Sequence, residues 1–409
     1  MGEAEMILLF IVAAGWPLAP TDSTHPLGNN WGEYQYYGGS PYLHPGIDVM
    51  ADTIHRPVYA VQSGIVKGWL TTSGDYHWRL AIADYETNDS VEAWLYAHID
   101  PYQYHKDVGE YIVERELIGY LVEWPITGFD HLHFARIKDA GAVWQYGDWA
   151  FVQNPLLITQ PYDDTTKPVF EDAYLDHKFA FCENNTSSYL QPDNLHGDVD
   201  IVAKIYDDVG LPLYDPVWER LIPYRIAYEI RGADSLPNTL SFIFCGVLDY
   251  TQNVDVIYKY DSVCNTQGNY SWRKYFFIVS NTDGDSIIES TDATCAWETN
   301  DFSNGDYWVI VSACDAAGNT QRDSMLVTVT NVGVAEHGDI VAAYPCRISP
   351  NPSIGLITVD TERMLKIVDA SGRVVASGYG GSYRLTTGIY FIVFEDNNEI
   401  HSEKIVVVK

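Results

Sequence analysis

The sequence predicts an all-β protein, and three observations carry that reading. Thirty tyrosines and twelve tryptophans favour pleated, half-buried strands over helices. Apolar residues come in short runs that alternate with polar ones, the period of a strand. Glycine, asparagine and aspartate sit between those runs, where turns need them.

At 409 residues the chain is too long for one ordinary core, so several domains are expected. Apolar residues make up 46% and charged residues 20%, enough to fill such cores and inconsistent with a disordered chain. The formal charge of -32 excludes a basic surface of the kind that binds nucleic acid or an anionic membrane. Six cysteines lie far apart, without a CxxC pair, and none precedes Cys182. They read either as one to three disulfides in an oxidising compartment or as buried free thiols.

The chain opens with an apolar run over residues 6–14, too short to span a bilayer and of the length of a signal-peptide core. Residues 1–20 are therefore read as a signal peptide, and no transmembrane segment is expected. Glu3 and Glu5 stand where a positive region belongs, so either translation starts at Met6 or the run is a buried strand.

Residues 21–162 form the first predicted domain. Strands are expected at 57–61, 78–83, 91–97 and 131–135, each short, alternating, and rich in β-branched or aromatic residues. Residues 161–168, with two prolines among polar residues, read as a linker. Residues 163–335 follow as a β-sandwich region, with strand-like stretches at 198–206 and 307–313. The run Cys314-Asp-Ala-Ala-Gly-Asn319 followed by 324–330 resembles the final hairpin of bacterial immunoglobulin-like domains. A small C-terminal β-sandwich over 336–409 closes the chain.

Three segments of the first domain concentrate histidine and aspartate: His44-Pro-Gly-Ile-Asp48, Tyr96-Ala-His98 and His131-Leu-His133. On a strand, residues two apart share a face, so His131 and His133 point one way and Leu132 and Phe134 the other. Pro45-Gly46 opposes a helix, and Asp48 falls between Ile47 and Val49, which places it away from the core. The same alternation puts Trp94, Tyr96 and His98 on one face. Imidazole and carboxylate suit zinc, and a catalytic zinc site uses three protein ligands with one position open. Two histidines and one aspartate meet that count, and the other histidines then serve proton transfer and charge stabilisation. His25, His55, His77 and His105 read as solvated or packed side chains, and 281–285 as a polar turn in preference to a calcium loop.

HxxxD, then YAH, then HLHF, in this order over about residues 40–160, resemble the LytM/lysostaphin-type metallopeptidases of family M23. The resemblance implies an antiparallel-sheet peptidase domain in which His44, Asp48 and His133 hold Zn2+ and His98 and His131 form the catalytic pair. It implies hydrolysis of peptide bonds in peptidoglycan cross-links or another peptide substrate. The alternatives are a non-catalytic LytM-like protein that binds or regulates at the cell wall, and a surface adhesin acting through its middle region. Asp130 stands just before His131 and would raise that imidazole's pKa where the side chains approach. The C-terminal stretch, with Ser349-Pro-Asn-Pro-Ser353, Gly388-Ile-Tyr-Phe391 and the closing Lys404-Ile-Val-Val-Val-Lys409, resembles the sorting domain of type IX (Por) secretion cargo. That resemblance implies the type IX machinery as a partner and a secreted or cell-surface location in a bacterium.

Overall fold

The structure is a computed structural model and describes residues 14–37, 39–71, 74–83, 92–137, 152–208, 217–244, 253–269, 271–331, 347–349, 353–360, 364–370, 372–396 and 399–408. It is nearly all β, with antiparallel strand pairing, and divides into two compact units, residues 1–332 and 333–409. No helix among the described residues is long and apolar enough to cross a membrane.

Unit 1 begins with a seven-stranded antiparallel sheet. Its strands are β1 (Ile47–Met50), β2 (Gly64–Leu70), β3 (Arg79–Ala83), β4 (Ala93–Ala97), β5 (Tyr111–Ile112), β6 (His131–Ile137) and β7 (Val152–Gln153). The path runs β7-β6-β4-β3-β2-β5, and β1 pairs with the first half of β6. That register sets His133 opposite both Asp48 on β1 and Ala97 on β4. Leu132 and Phe134 are fully buried on the other face, where Phe134 stacks on Trp94 with ring centroids 5.1 Å apart.

Ala14, Trp16 and Leu18 are buried in this unit's core, and the Trp16 indole donates to the Pro161 carbonyl at 2.6 Å. A leader cleaved as late as residue 20 would remove them from it. The apolar residues 6–13 lie outside the described residues.

Two larger antiparallel sheets and three two-stranded ones make up the rest of unit 1 among the described residues. One is organised around β8 (Asp198–Asp208), an eleven-residue strand that pairs with Phe179–Glu183, Val169–Glu171 and Phe276–Ile278. The other has Arg225–Arg231 at its centre, joined to the long hairpin of β9 (Gly305–Cys314) and β10 (Thr320–Val329). The hairpin turn is closed by Asp315, whose amide donates to the Asn319 carbonyl at 3.1 Å. Both sheets share one hydrophobic core with the first. Cys182, Cys264, Cys295 and Cys314 are free thiols, of which Cys182 and Cys264 are buried as the second expectation has it and Cys295 and Cys314 are half-buried; Cys245 and Cys346 lie outside the described residues. Burial pushes the Cys182 thiol up to about 12, which keeps it inert. Residues 281–285 form a polar turn, in which the Asp283 carboxylate accepts from the Asp285 amide at 3.0 Å.

Unit 2 has a three-stranded sheet (Arg347–Ser349, Leu356–Asp360, Gly381–Arg384) and a four-stranded one (Val374–Gly378, Leu365–Asp369, Gly388–Asp396, Glu399–Val407). Ile357, Val359, Ile367, Ile392 and Ile405 fill a core of its own.

Candidate metal centre

His44, Asp48 and His133 come together at the edge where β1 meets β6. His44 Nε2 lies 3.2 Å from Asp48 Oδ1, His133 Nδ1 lies 3.1 Å from the same oxygen, and the two ring nitrogens are 3.0 Å apart. Three donor atoms bound at about 2.0–2.2 Å in a tetrahedron stand a little over 3 Å from one another, so the triangle fits a zinc ion. The His44 ring is also prepared for that role, because its Nδ1 donates to the Asn30 carbonyl at 3.0 Å and leaves the lone pair on Nε2. Gly46 allows the close approach: a Cβ there would meet His133 Nε2 at 2.7 Å and the Phe134 carbonyl at 2.8 Å.

His131 and His98 lie beside the triangle. His131 Nε2 is 3.6 Å from Asp48 Oδ2, and its Nδ1 donates to the Phe129 carbonyl at 2.7 Å. The His98 ring centroid is 4.7 Å from that of His131 and 5.8 Å from that of His133, and its buried Nδ1 has no hydrogen-bond partner. The arrangement corrects one expectation from alternation. Trp94 and Tyr96 lie on the core face, with the Tyr96 ring 5.4 Å from Phe134, whereas His98 reaches the polar face because it adopts a left-handed backbone (φ 63) at the strand end. Asp130 is turned from His131: its carboxylate accepts from the Trp124 amide at 3.0 Å.

The remaining histidines are placed elsewhere. His25 is packed on Trp16 at 5.5 Å, His105 stacks on Trp69 at 5.5 Å, and His55 is exposed with Nδ1 3.2 Å from the Leu121 carbonyl. His77 is exposed at the rim of the cleft. That cleft has a volume of about 700 Å³, with Tyr37, Tyr42, Tyr76, Arg79 and Trp124 around the histidines.

Buried charge decides the electrostatics. Burial alone would raise the Asp48 pKa, but the nearby His131 and His44, with hydrogen bonds from His133 and His44, hold it well below its usual value. Burial opposes a charge on His44, yet Asp48 raises its pKa by charge and by hydrogen bond. In the metal-free protein a proton on His44 thus meets the buried carboxylate, and a divalent cation would meet it more fully. Burial pushes His133 down to about 4 and, with His131 and His133 as neighbours, pushes His98 well below 6.5.

A second set of residues, which the sequence reading did not find, holds this one. The Asn29 amide donates to Asp48 Oδ2, and the Asp48 amide donates to the Asn29 carbonyl at 3.0 Å. Asn29 Oδ1 in turn accepts from Arg273 Nη2 at 2.8 Å, and Glu33 accepts from the Asn30 amide at 2.7 Å and from the Tyr275 hydroxyl. Arg273 and Glu33 are both fully buried, with 3.5 Å between Nη1 and Oε1. Arg273 and Tyr275 belong to the middle region, so that region braces the site from 244 positions away.

Two outcomes follow. Asn29→Ala leaves Asp48 Oδ2 without its donor, and metal affinity measured by chelator competition should fall roughly 10- to 100-fold; unchanged affinity would remove Asn29 from this role. In the metal-free protein His133 and His98 have pKa values below 6.5, so the unfolded chain binds protons first and stability falls as pH drops from 6.5 toward about 4. His44 runs the other way, its contribution being present below 6.5 and lost as pH rises through its raised value. Denaturant unfolding of chelator-treated His133→Gln should therefore show a shallower loss across that window than the parent, and an equal or steeper loss would contradict the assignment.

No family model matches the chain, and no curated protein does. Solved structures that are similar include a zinc containing peptidase from Vibrio cholerae, at 22% identity over 30% of this chain and 36% of that one, with a TM-score of 0.24. The chain thus spans about a third of that peptidase's length. The solution structure of lysostaphin matches at 19% identity over 48% of this chain and 86% of that one, with a TM-score of 0.27. The catalytic domain of the prophage-encoded M23 protein EnpA from Enterococcus faecalis matches at 18% identity over 32% and 92%, with a TM-score of 0.23. These neighbours match at low identity and over part of this chain, and they include lysostaphin and an M23 protein.

Proposed function

We propose that this chain is a zinc metalloendopeptidase of the M23 kind that hydrolyses peptide bonds, with the peptide cross-links of peptidoglycan as its substrate. The observation that carries the reading is the triangle of His44 Nε2, Asp48 Oδ1 and His133 Nδ1, with sides of 3.0–3.2 Å, beside two further histidines that line the same cleft. His44, Asp48 and His133 would hold the ion. Bound zinc supplies Lewis acidity, which brings the pKa of an attached water from 15.7 to about 7.

The protein's own groups do the rest. His131, with its Nδ1 proton committed to the Phe129 carbonyl, presents Nε2 as the proton acceptor and later returns that proton to the leaving amine. His98, kept neutral by burial, donates to the oxygen on which charge develops. Tyr37, Tyr42 and Trp124 give an extended peptide an aromatic wall.

Digestion of purified sacculi followed by mass analysis of released fragments tests the substrate: peptide-linked fragments should appear, and their absence at full zinc occupancy favours the binding or regulatory alternative. His133→Ala should lose stoichiometric zinc, whereas His98→Ala and His131→Ala should keep zinc and lose about 10²–10⁴-fold in rate. Full zinc occupancy in His133→Ala would sink the ligand set.

The surroundings belong to the same reading. We take residues 1–20 to contain a leader, 21–162 the peptidase region, 163–335 an immunoglobulin-like β-sandwich and 336–409 a sorting domain read by the type IX machinery, giving a secreted or surface-bound bacterial enzyme. Buried Trp16 and Leu18 argue for a cleavage point ahead of Ala14. Truncation after Val334 should leave the peptidase inside the cell envelope of a host with that machinery. Equal amounts of truncated and full-length protein outside the cell would show that the last segment is not an address.

A further inference from the structure

A second cluster of ligand-type side chains lies outside the cleft and shares no residue with it. Asp164 comes from the connecting segment, Asp207 from the end of β8 and Asp315 from the β9–β10 turn, and one carboxylate oxygen of each lies within 4.8 Å of the others. They are 7%, 1% and 1% exposed. Asp207 Oδ1 and Asp164 Oδ2 are buried without any hydrogen-bond partner. Among the described residues, no lysine, arginine or histidine forms an ion pair with any of the three.

Hydrogen bonds fix two of the three carboxylates. Asp164 Oδ1 accepts from the Thr166 amide at 2.9 Å and from its hydroxyl at 2.6 Å, while Asp315 accepts from the Asn319 amide at 2.8 Å and from Asn319 Nδ2 at 2.7 Å. Asn319 Nδ2 also donates to the Asp164 carbonyl at 2.9 Å. Local hydrogen bonds thus hold the Asp164 and Asp315 carboxylates in place, and the cluster keeps two unpartnered buried oxygens, Asp164 Oδ2 and Asp207 Oδ1. Three converging carboxylates removed from water, with nothing positive beside them, would cost several kcal/mol each if left ionised and uncompensated.

We propose that Asp164, Asp207 and Asp315 form a calcium-binding site that ties the connecting segment to the two sheets of the middle region. Oxygen is the only donor type in the cluster, which suits a hard cation and disfavours zinc. Calcium accepts irregular, mixed carboxylate, carbonyl and water coordination, whereas magnesium demands a near-ideal octahedron. A charge of +2 compensates most of the cluster's -3. The rival occupant is the proton: burial and the neighbouring Asp315, Asp164 and Asp208 charges raise the Asp207 pKa well above its usual value.

The two differ in what calcium and an amide do. Zinc-loaded full-length protein is titrated with calcium chloride by calorimetry, and its melting temperature is read with and without about 5 mM calcium, above the weakest range of protein calcium sites. One calcium per chain and a higher melting temperature are expected. Asp207→Asn, which matches the neutral carboxyl in shape, should keep zinc, melt higher than the parent without calcium, and show no calcium response. Asp164→Asn should lose the response as well and serves if Asp207→Asn does not fold. No calcium response in the parent means that the cluster holds protons, and a response retained in both variants places calcium elsewhere on this acidic chain; either result overturns the proposal. His133→Ala should keep the response, which separates this site from the metal centre.

Discussion

One buried carboxylate sets the terms for the rest of this molecule. Asp48 is 3% exposed and stands among His44, His131 and His133, so its charge must be met by protein groups or by a cation. Each oxygen is given a direction. Oδ1 faces the two ring nitrogens of the triangle, and Oδ2 is held by the Asn29 amide. Imidazoles alone would leave the carboxylate free to turn about its side-chain bonds. The donor on Oδ2 fixes which oxygen points at His44 and His133, and so fixes the triangle itself.

Holding Asn29 requires a second buried charge pair. Arg273 donates to Asn29 Oδ1 and to the Trp218 carbonyl at 3.2 Å, and Glu33 stands 3.5 Å from its guanidinium. Glu33 also receives the Asn30 amide, and the Asn30 carbonyl in turn receives His44 Nδ1. The segment from Gly28 to Glu33 therefore carries the hydrogen bonds that orient both His44 and Asp48. Trp218 adds an apolar brace, its ring centroid 4.3 Å from Phe129, whose carbonyl fixes His131. The middle region is part of the wall of the site rather than an appended module.

What the sequence made legible, and what it hid, follows from the range of each interaction. His131 and His133 share a face because strand alternation is local, and the register of β6 against β1 brings Asp48 opposite His133. Gly46 was legible as a helix breaker, but its closeness to His133 needed the pairing. His98 escaped alternation because a single left-handed residue turns the side chain across the sheet, and nothing in Tyr96-Ala-His98 announces that conformation. Arg273 was illegible for another reason: its partner Asn29 is 244 positions away, and no periodicity spans such a distance. Asp164, Asp207 and Asp315 read separately as linker, strand end and turn, the places where aspartate is ordinary.

The long-range bracing also constrains how the cleft can work. Arg273 and Glu33 are about 1% exposed, and removing either alone would strand the other charge in the core. A buried pair of this kind resists gradual displacement, because any separation of the two regions exposes both charges and frees Asn29 in the same movement. Opening by a hinge between the first sheet and the middle region would therefore loosen Asp48. Three donor atoms within about 3 Å of one another are better kept so by a fixed wall, and the buried Arg273–Glu33 pair gives the cleft one.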